Sequence, residues 1–315
     1  MIEFCELCPR RCGANRDAGK TGYCGAGREV EVFRYGPHPG EEPPISGERG
    51  SGTVFFSRCT LRCIYCQNHP WSQGGAGRRY GVGALTGMLE ELAAQGCHNW
   101  NLVSPTPWLP QIASAVEAAR RRGVRLPVVY NTSGFERTET LREAGEWVDV
   151  YLTDLRYSRP ETGAAGSGCA GYVDAARAAL LEMWRQKGPL TFNAEGLAVS
   201  GVICRILVLP GHAEEAVESL EWLAAHVGPQ LALSVMAQYT PVHRARQQAP
   251  WDRGISAEEY GAVCEAVESN GFENGWVQEF GRPAGKGLLG AEMESSGVGD
   301  EDRHRVVPAA ASGME

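Results

Sequence analysis

Six short apolar runs punctuate the chain: Thr53–Ser57, Asn99–Val103, Leu126–Tyr130, Val148–Thr153, Val202–Leu209 and Leu231–Ala237. Each predicts a strand. Between them, apolar residues recur at helical spacing. Leu85, Met88, Leu89 and Leu92 form one such stripe, and Ile112, Ala115, Val116 and Ala119 a second. Val173, Ala176, Leu180 and Trp184 form a third, and Ala216, Val217, Leu220, Leu223 and Val227 a fourth. A last helix is predicted to open at Ser256, because Glu259 stands three residues on and the two can cap each other. Its apolar face is Tyr260, Val263, Cys264 and Val267. Repeated strand-then-helix order implies a parallel sheet with right-handed crossovers. Six units suit a partial (β/α)6 barrel, although the pattern alone fits a doubly wound open sheet equally well.

The two ends break this rhythm. Residues 1–50 are rich in Cys, Gly, Pro and Arg and show little periodicity, which predicts a small metal-stapled appendage. From about Gly281 the chain turns to Gly, Ala, Ser and charge, which predicts a disordered tail over 281–315. An α/β core over 51–280 lies between. At 315 residues and 43% hydrophobic content the chain can bury a full core, and its net charge of −8 argues against broad capture of nucleic acid. No apolar stretch approaches the roughly 20 residues of a membrane span. The start, M-I-E-F-C-E-L-C, has neither the basic nor the apolar region of a secretory leader. A cytoplasmic location is the expectation. In that setting clustered cysteines read as metal ligands rather than disulfides.

The cysteines fall into two sets. Cys59, Cys63 and Cys66 stand as C-T-L-R-C-I-Y-C directly after the first strand candidate. Three thiolates in one loop can hold three irons of a four-iron cubane and leave the fourth iron without a protein ligand, whereas such clusters are normally held by four cysteines. The alternative is a zinc site closed by His69. The second set is Cys5, Cys8, Cys12 and Cys24, and four ligands make a closed site for a structural zinc or a second iron–sulfur cluster. The scattered Cys97, Cys169, Cys204 and Cys264 read as small apolar residues.

These residues resemble the signature loop of the radical S-adenosylmethionine (SAM) superfamily. The longer segments F-F-S-R-C-T-L-R-C-I-Y-C-Q-N, N-L-V-S-P-T-P-W-L-P, P-V-V-Y-N-T-S-G-F-E, D-V-Y-L-T-D-L-R-Y and M-A-Q-Y-T-P-V-H, with C-E-L-C-P-R-R-C-G before them, resemble pyruvate formate-lyase activating enzyme-related proteins. The match is to the branch with an N-terminal C-x2-C-P-R-x-C segment, and it spans residues 5 to about 270. The resemblance implies a partial (β/α)6 barrel and a 4Fe-4S cluster on Cys59, Cys63 and Cys66, with SAM on the open iron. It implies reductive cleavage of SAM to a 5′-deoxyadenosyl radical that abstracts hydrogen. An electron donor such as flavodoxin or ferredoxin is then required. The substrate is a glycyl-radical partner enzyme, or else another peptide, an RNA or a small molecule. A non-catalytic iron–sulfur or zinc scaffold is the reading from a different class. Three positions depart from the pattern: Arg58 where glycine is usual, and Thr153 and Arg156 in place of proline and lysine.

In parallel α/β folds, ligands bind beyond the C-terminal ends of the strands. Polar residues at those ends are therefore candidates for SAM. Ser104 and Thr106 follow the second strand, Asn131 and Ser133 the third, Asp154 the fourth and Tyr239 the sixth. Turn formation or helix capping is the competing account of Ser104, Thr106, Asn131 and Ser133. Packing is the competing account of Tyr239. Arg205, inside the apolar run V-I-C-R-I-L-V-L, must reach a partner, either a SAM carboxylate or Asp154.

Overall fold

The computed structural model describes residues 2–281. The expected tail from 282 lies outside the described residues. The strands are β1 (Val30–His38), β2 (Ser51–Phe56), β3 (Arg78–Tyr80), β4 (Trp100–Val103), β5 (Val128–Thr132), β6 (Val150–Asp154), β7 (Thr191–Phe192), β8 (Ala198–Leu207), β9 (Ala232–Met236) and β10 (Gly275–Val277). The α-helices are α1 (Pro43–Ser46), α2 (His69–Ser72), α3 (Val82–Ala94), α4 (Leu109–Arg121), α5 (Thr138–Ala144), α6 (Pro160–Ser167), α7 (Tyr172–Lys187), α8 (Ala213–His226) and α9 (Ala257–Ser269).

The sheet runs β10-β9-β8-β6-β5-β4-β2-β1-β3. All pairs from β2 to β10 along this path are parallel, and β1 and β3 add antiparallel strands beyond β2. The six expected strands are therefore β2, β4, β5, β6, β8 and β9, in the partial-barrel arrangement. The four expected helical stripes are the buried faces of α3, α4, α7 and α8, except that Trp184, Val217 and Val227 are only partly covered and Val227 lies just past the end of α8. The reciprocal cap of Ser256 and Glu259 opens α9.

Two differences bear on function. Residues 30–50, assigned above to the appendage, contribute to the sheet. Val30, Val32 and Phe33 of β1 are buried, and the strand pairs with β2. The helix that follows, α1, drops Ile45 onto Val129, Val150, Leu152 and Ile203. The stretch V-E-V-F-R-Y-G-P-H escaped detection because a register irregularity between Val32 and Arg34 breaks its two-residue alternation. The glycine-containing stretch before Cys169, which carries no helical stripe in the sequence, is α6 (Pro160–Ser167). Small residues let this short helix pack closely on Tyr157 and Trp251.

Strand periodicity sets up the concave face. Successive residues alternate sides, so Val150, Leu152 and Asp154 of β6 share a side with Val129 and Asn131 of β5 and with Ile203 and Arg205 of β8. The lower positions are apolar and join Ile45 in one small cluster. The top positions are Asn131, Asp154 and Arg205, and Asp154 pairs in register with Arg205.

Candidate functional site

Immediately after β2 the chain turns through Arg58, whose φ of 74° is left-handed. This explains why glycine suits that position. Arg58 is held there by its Nε at 2.6 Å from Glu31 Oε2 on β1, and by its backbone N–H donating to the Trp71 carbonyl at 3.0 Å. Its guanidinium lies in space that Gly75 leaves open, for a Cβ on Gly75 would stand 2.7 Å from it. The departure from glycine is thus compensated by an ion pair on a buried carboxylate.

The loop that follows carries Cys59, Cys63 and Cys66, which line one cavity of about 90 Å³ with Ser104, Asn131, Ser133, Asp154, Arg156 and Arg205 among its walls. The Ile64 N–H donates to the Gly166 carbonyl at 2.9 Å, which fixes the loop against the end of α6. Cys63 Sγ lies 2.9 Å from Ser167 Oγ, and Cys66 Sγ lies 3.3 Å from Ser72 Oγ. Tyr65 is buried and borders an adjoining cavity that Asp154, Arg156 and Arg205 also line. Its ring stacks on Trp251 at 5.3 Å, and its hydroxyl meets Tyr157 at 2.6 Å. Burial pushes the Cys59 thiol up to about 12, with the neighbouring Cys63 adding to the shift. Burial also raises Cys66. Clustered thiols of this kind ionise when a metal takes the place of their protons.

The donor set fits a multi-iron cluster. Three sulfurs line a shared cavity, the ligand number that would leave one iron of a four-iron cluster without a protein ligand. His69, the fourth ligand of the zinc alternative, is not in this wall. Its Nδ1 is 3.1 Å from the Cys66 carbonyl, and its ring stacks on His243 at 4.3 Å.

Opposite the cysteines runs a charged network. Arg205 donates from Nε to Asp154 Oδ1 at 2.7 Å and from one terminal nitrogen to Asn131 Oδ1 at 2.8 Å. Arg156 donates from Nε to Asp154 Oδ2 at 3.1 Å and reaches Cys63 Sγ at 3.4 Å. Burial opposes ionisation of Asp154, but the two guanidinium groups outweigh it and hold the carboxyl below its ordinary range. Of the two partners proposed for Arg205, the ion pair with Asp154 is the one made here. Both residues still border the cysteine cavity.

The sequence-derived candidates separate as follows. Ser104, Asn131, Ser133, Asp154 and Arg205 meet the three loop cysteines. Tyr239 lines an adjoining cavity of about 190 Å³, but its hydroxyl donates to the Trp251 carbonyl at 2.6 Å, as packing would have it. Thr106 is not in the wall of the loop-cysteine cavity and borders that of Cys5, Cys8, Cys12 and Cys24 instead. It opens a short 3-10 turn, which swings it away from the cavity, and its hydroxyl donates to Glu136 Oε1 at 2.6 Å. Sequence reading missed Glu41 and Glu42 as residues beside the site, and noted Arg156 only as a departure. Nothing in their spacing marks them.

Cys5, Cys8, Cys12 and Cys24 line a second, small cavity, whose wall includes Thr60 of the cysteine loop. A Cβ at Gly22 would stand 2.3 Å from Cys12 Sγ, so this close approach requires glycine. Burial raises Cys8 to about 12 and also raises Cys5. Arg10 donates to the Thr60 carbonyl at 2.7 Å, and Arg62 donates to the Tyr23 carbonyl at 2.9 Å. The ring of Tyr23 lies beneath both guanidinium groups. The appendage therefore grips the cysteine loop itself.

Comparison with known proteins supports the same region. The family model described as the radical SAM superfamily matches residues 53–223, more than half of the chain. An uncharacterized protein of Methanocaldococcus jannaschii is 26% identical over 277 residues, covering 85% of this chain and 75% of that protein. Among solved structures, native anSMEcpe with bound AdoMet aligns with a TM-score of 0.43 at 11% identity, over 72% of this chain and 59% of that one. The chain thus spans less than two thirds of that structure's length. A domain of pyruvate-formate lyase-activating enzyme from Bacteroides vulgatus aligns with a TM-score of 0.37 at 12% identity, over 52% of this chain and 87% of that domain.

Proposed function

The chain belongs to the radical SAM superfamily, and from that premise we propose that it is an enzyme holding a 4Fe-4S cluster on Cys59, Cys63 and Cys66. When bound, the cluster supplies one electron to SAM at its open iron, giving methionine and a 5′-deoxyadenosyl radical for hydrogen abstraction. The observation that carries this reading is the shared cavity, in which three thiols face Asn131, Ser133, Asp154 and Arg205 across one space.

The chain's own residues have definite tasks under this reading. The three cysteines bind the cluster and leave one iron open. Arg156, 3.4 Å from Cys63 Sγ, places positive charge beside a thiolate and so stabilises the reduced, more negative state. Arg205, held by Asp154 and Asn131, offers a fixed cation to the SAM carboxylate. Ser104 and Ser133 offer oxygens for its amine or ribose. The packed ring of Tyr65 helps to exclude water. Cys5, Cys8, Cys12 and Cys24 hold a second cluster or a zinc. A soluble reductant such as flavodoxin or ferredoxin supplies electrons. Hydrogen abstraction from a glycyl-radical partner is the substrate reading that the resemblance favours.

The test is anaerobic reconstitution, followed by assay of 5′-deoxyadenosine from SAM under a strong reductant, with iron and zinc counted in the same sample. Wild type is expected to form 5′-deoxyadenosine. Cys63→Ala is expected to form none while still folding cooperatively, because the change removes one sulfur from a buried position among Leu61, Ile64 and Tyr65 and leaves the rest of that cluster in place. Cleavage at the wild-type rate in Cys63→Ala would remove the site assignment. A fully loaded, reducible wild type that leaves SAM intact would favour the scaffold reading.

A further inference from the structure

The connection between β1 and β2 does more than join two strands. It brings Glu41 and Glu42 onto the concave face, beside a cavity of about 420 Å³ that Phe55, Ser234, Trp276 and Arg205 also line. The turn is rigid. Ser46 Oγ accepts from the Glu41 N–H at 2.9 Å, and the Glu42 carbonyl accepts from Ile45 and Ser46. Pro43 opens α1 directly behind them. The volume is that of a small-molecule pocket. Asn68 and Arg205 border both this cavity and the one that holds the loop cysteines.

Charge in this region does not balance. Arg205 serves Asp154 at 2.7 Å and Glu41 at 3.5 Å, and Arg156 is committed to Asp154 and Cys63. Two guanidinium groups thus face three carboxyls. Glu42 is the least well held of the three: it is only 8% exposed, its Oε2 has no hydrogen-bond partner among the described residues, and it shares the charge of Arg205 with Asp154 and Glu41. His38 adds no countercharge, since burial holds its ring toward the neutral form. A buried carboxylate without a partner is costly. Accordingly, burial and the nearby Glu41 raise Glu42, and Arg205 only partly offsets them. Phe55 and Trp276 supply aromatic faces, which attract cations.

We infer that this cavity takes a ligand with a cationic nitrogen head, an amine or a guanidinium, which Glu42 and Glu41 hold between Phe55 and Trp276. Under the radical SAM reading, on which the word substrate rests, this is the substrate's recognition group. The rest of the ligand then extends past Asn68 and Arg205 toward the loop cysteines. The competing account is a permanently protonated Glu42 that merely donates a hydrogen bond, a role that glutamine fills equally well.

The test is isothermal titration of the reconstituted protein with two cations, n-pentylamine and butylguanidine, and with their neutral counterparts, n-pentanol and butylurea. The cations are expected to bind about tenfold or more tightly than the neutral molecules. Glu42→Gln should erase that preference, and Trp276→Leu should weaken it. No binding of either cation, equal binding of charged and neutral probes, or an intact preference in Glu42→Gln each overturns the inference. The wild-type comparison and Trp276→Leu keep it testable should Glu42→Gln fold poorly. 5′-Deoxyadenosine formation by wild type in the same samples reports separately on the enzyme class. Its absence with the cation preference intact counts against the radical SAM reading alone. Its presence without that preference counts against the cation site alone.

Discussion

Glu136 shows how a single side chain ties stability to pH. It is buried, it accepts from Thr106 and Thr132, and its second oxygen has no partner among the described residues. Burial raises its pKa from 4.5 to about 7, against the lowering effect of those hydroxyl donors. Between these values the folded chain keeps a proton that the unfolded chain has lost. Stability from this group is therefore full below about 4.5, falls as pH rises to about 7 and is flat above. The fall expected is roughly 3 kcal/mol. Urea unfolding across this range should show it, and Glu136→Gln should flatten it. An unchanged slope in the variant would assign the dependence elsewhere. None of this was legible in N-T-S-G-F-E, because burial of Glu136 depends on Thr106 from the turn after β4 and on Tyr130 of β5. Cys59, Cys63 and Cys66 were legible, since their spacing within one loop already states their chemistry. Arg58 lies between these cases: its departure from glycine was visible, but the compensating contact with Glu31 was not.

At the scale of elements, local signals served where local physics decides. The Ser256–Glu259 cap needs only one turn of chain, and α9 begins where it was expected. Here Glu259 does further work, bonding the Gly211 N–H at 2.6 Å and Arg253 at 2.7 Å, so the cap also ties α9 to the loop after β8. Ser256→Ala is expected to cost about 1 kcal/mol and to lower the melting temperature by roughly 2 °C. Calorimetry checks this, and a drop of ten degrees would mean that the serine supports more than its own helix. The strands of the parallel core were likewise readable from their apolar runs. β1 was not, because its irregular register hides the alternation and its order comes from pairing with β2. Nor was α6, whose glycines weaken its helical preference and whose Gly166 packs against Tyr157 and Trp251.

At the scale of the molecule, the appendage and the barrel meet at the cysteine loop. Arg10 and Arg62 cross-link them through backbone carbonyls, with Tyr23 between. Cys8→Ala is expected to lose the metal of the four-cysteine site while the loop cluster keeps its electron paramagnetic resonance signal, since the loop's own cysteines are untouched. Metal analysis with spectroscopy of one sample decides this, and joint loss of both signals would make the appendage part of the active centre. The sequence by itself determined the parallel α/β order, the two cysteine sets and the family, because these rest on periodicity and on ligands close along the chain. Only the tertiary structure decided that Asp154 binds both Arg205 and Arg156, that Thr106 turns to Glu136, and that Glu41 and Glu42 overlook the cavity. Apart from the Asp154–Arg156 contact, those pairings join residues far apart in the chain. Strand register and burial choose them, and no local pattern encodes either.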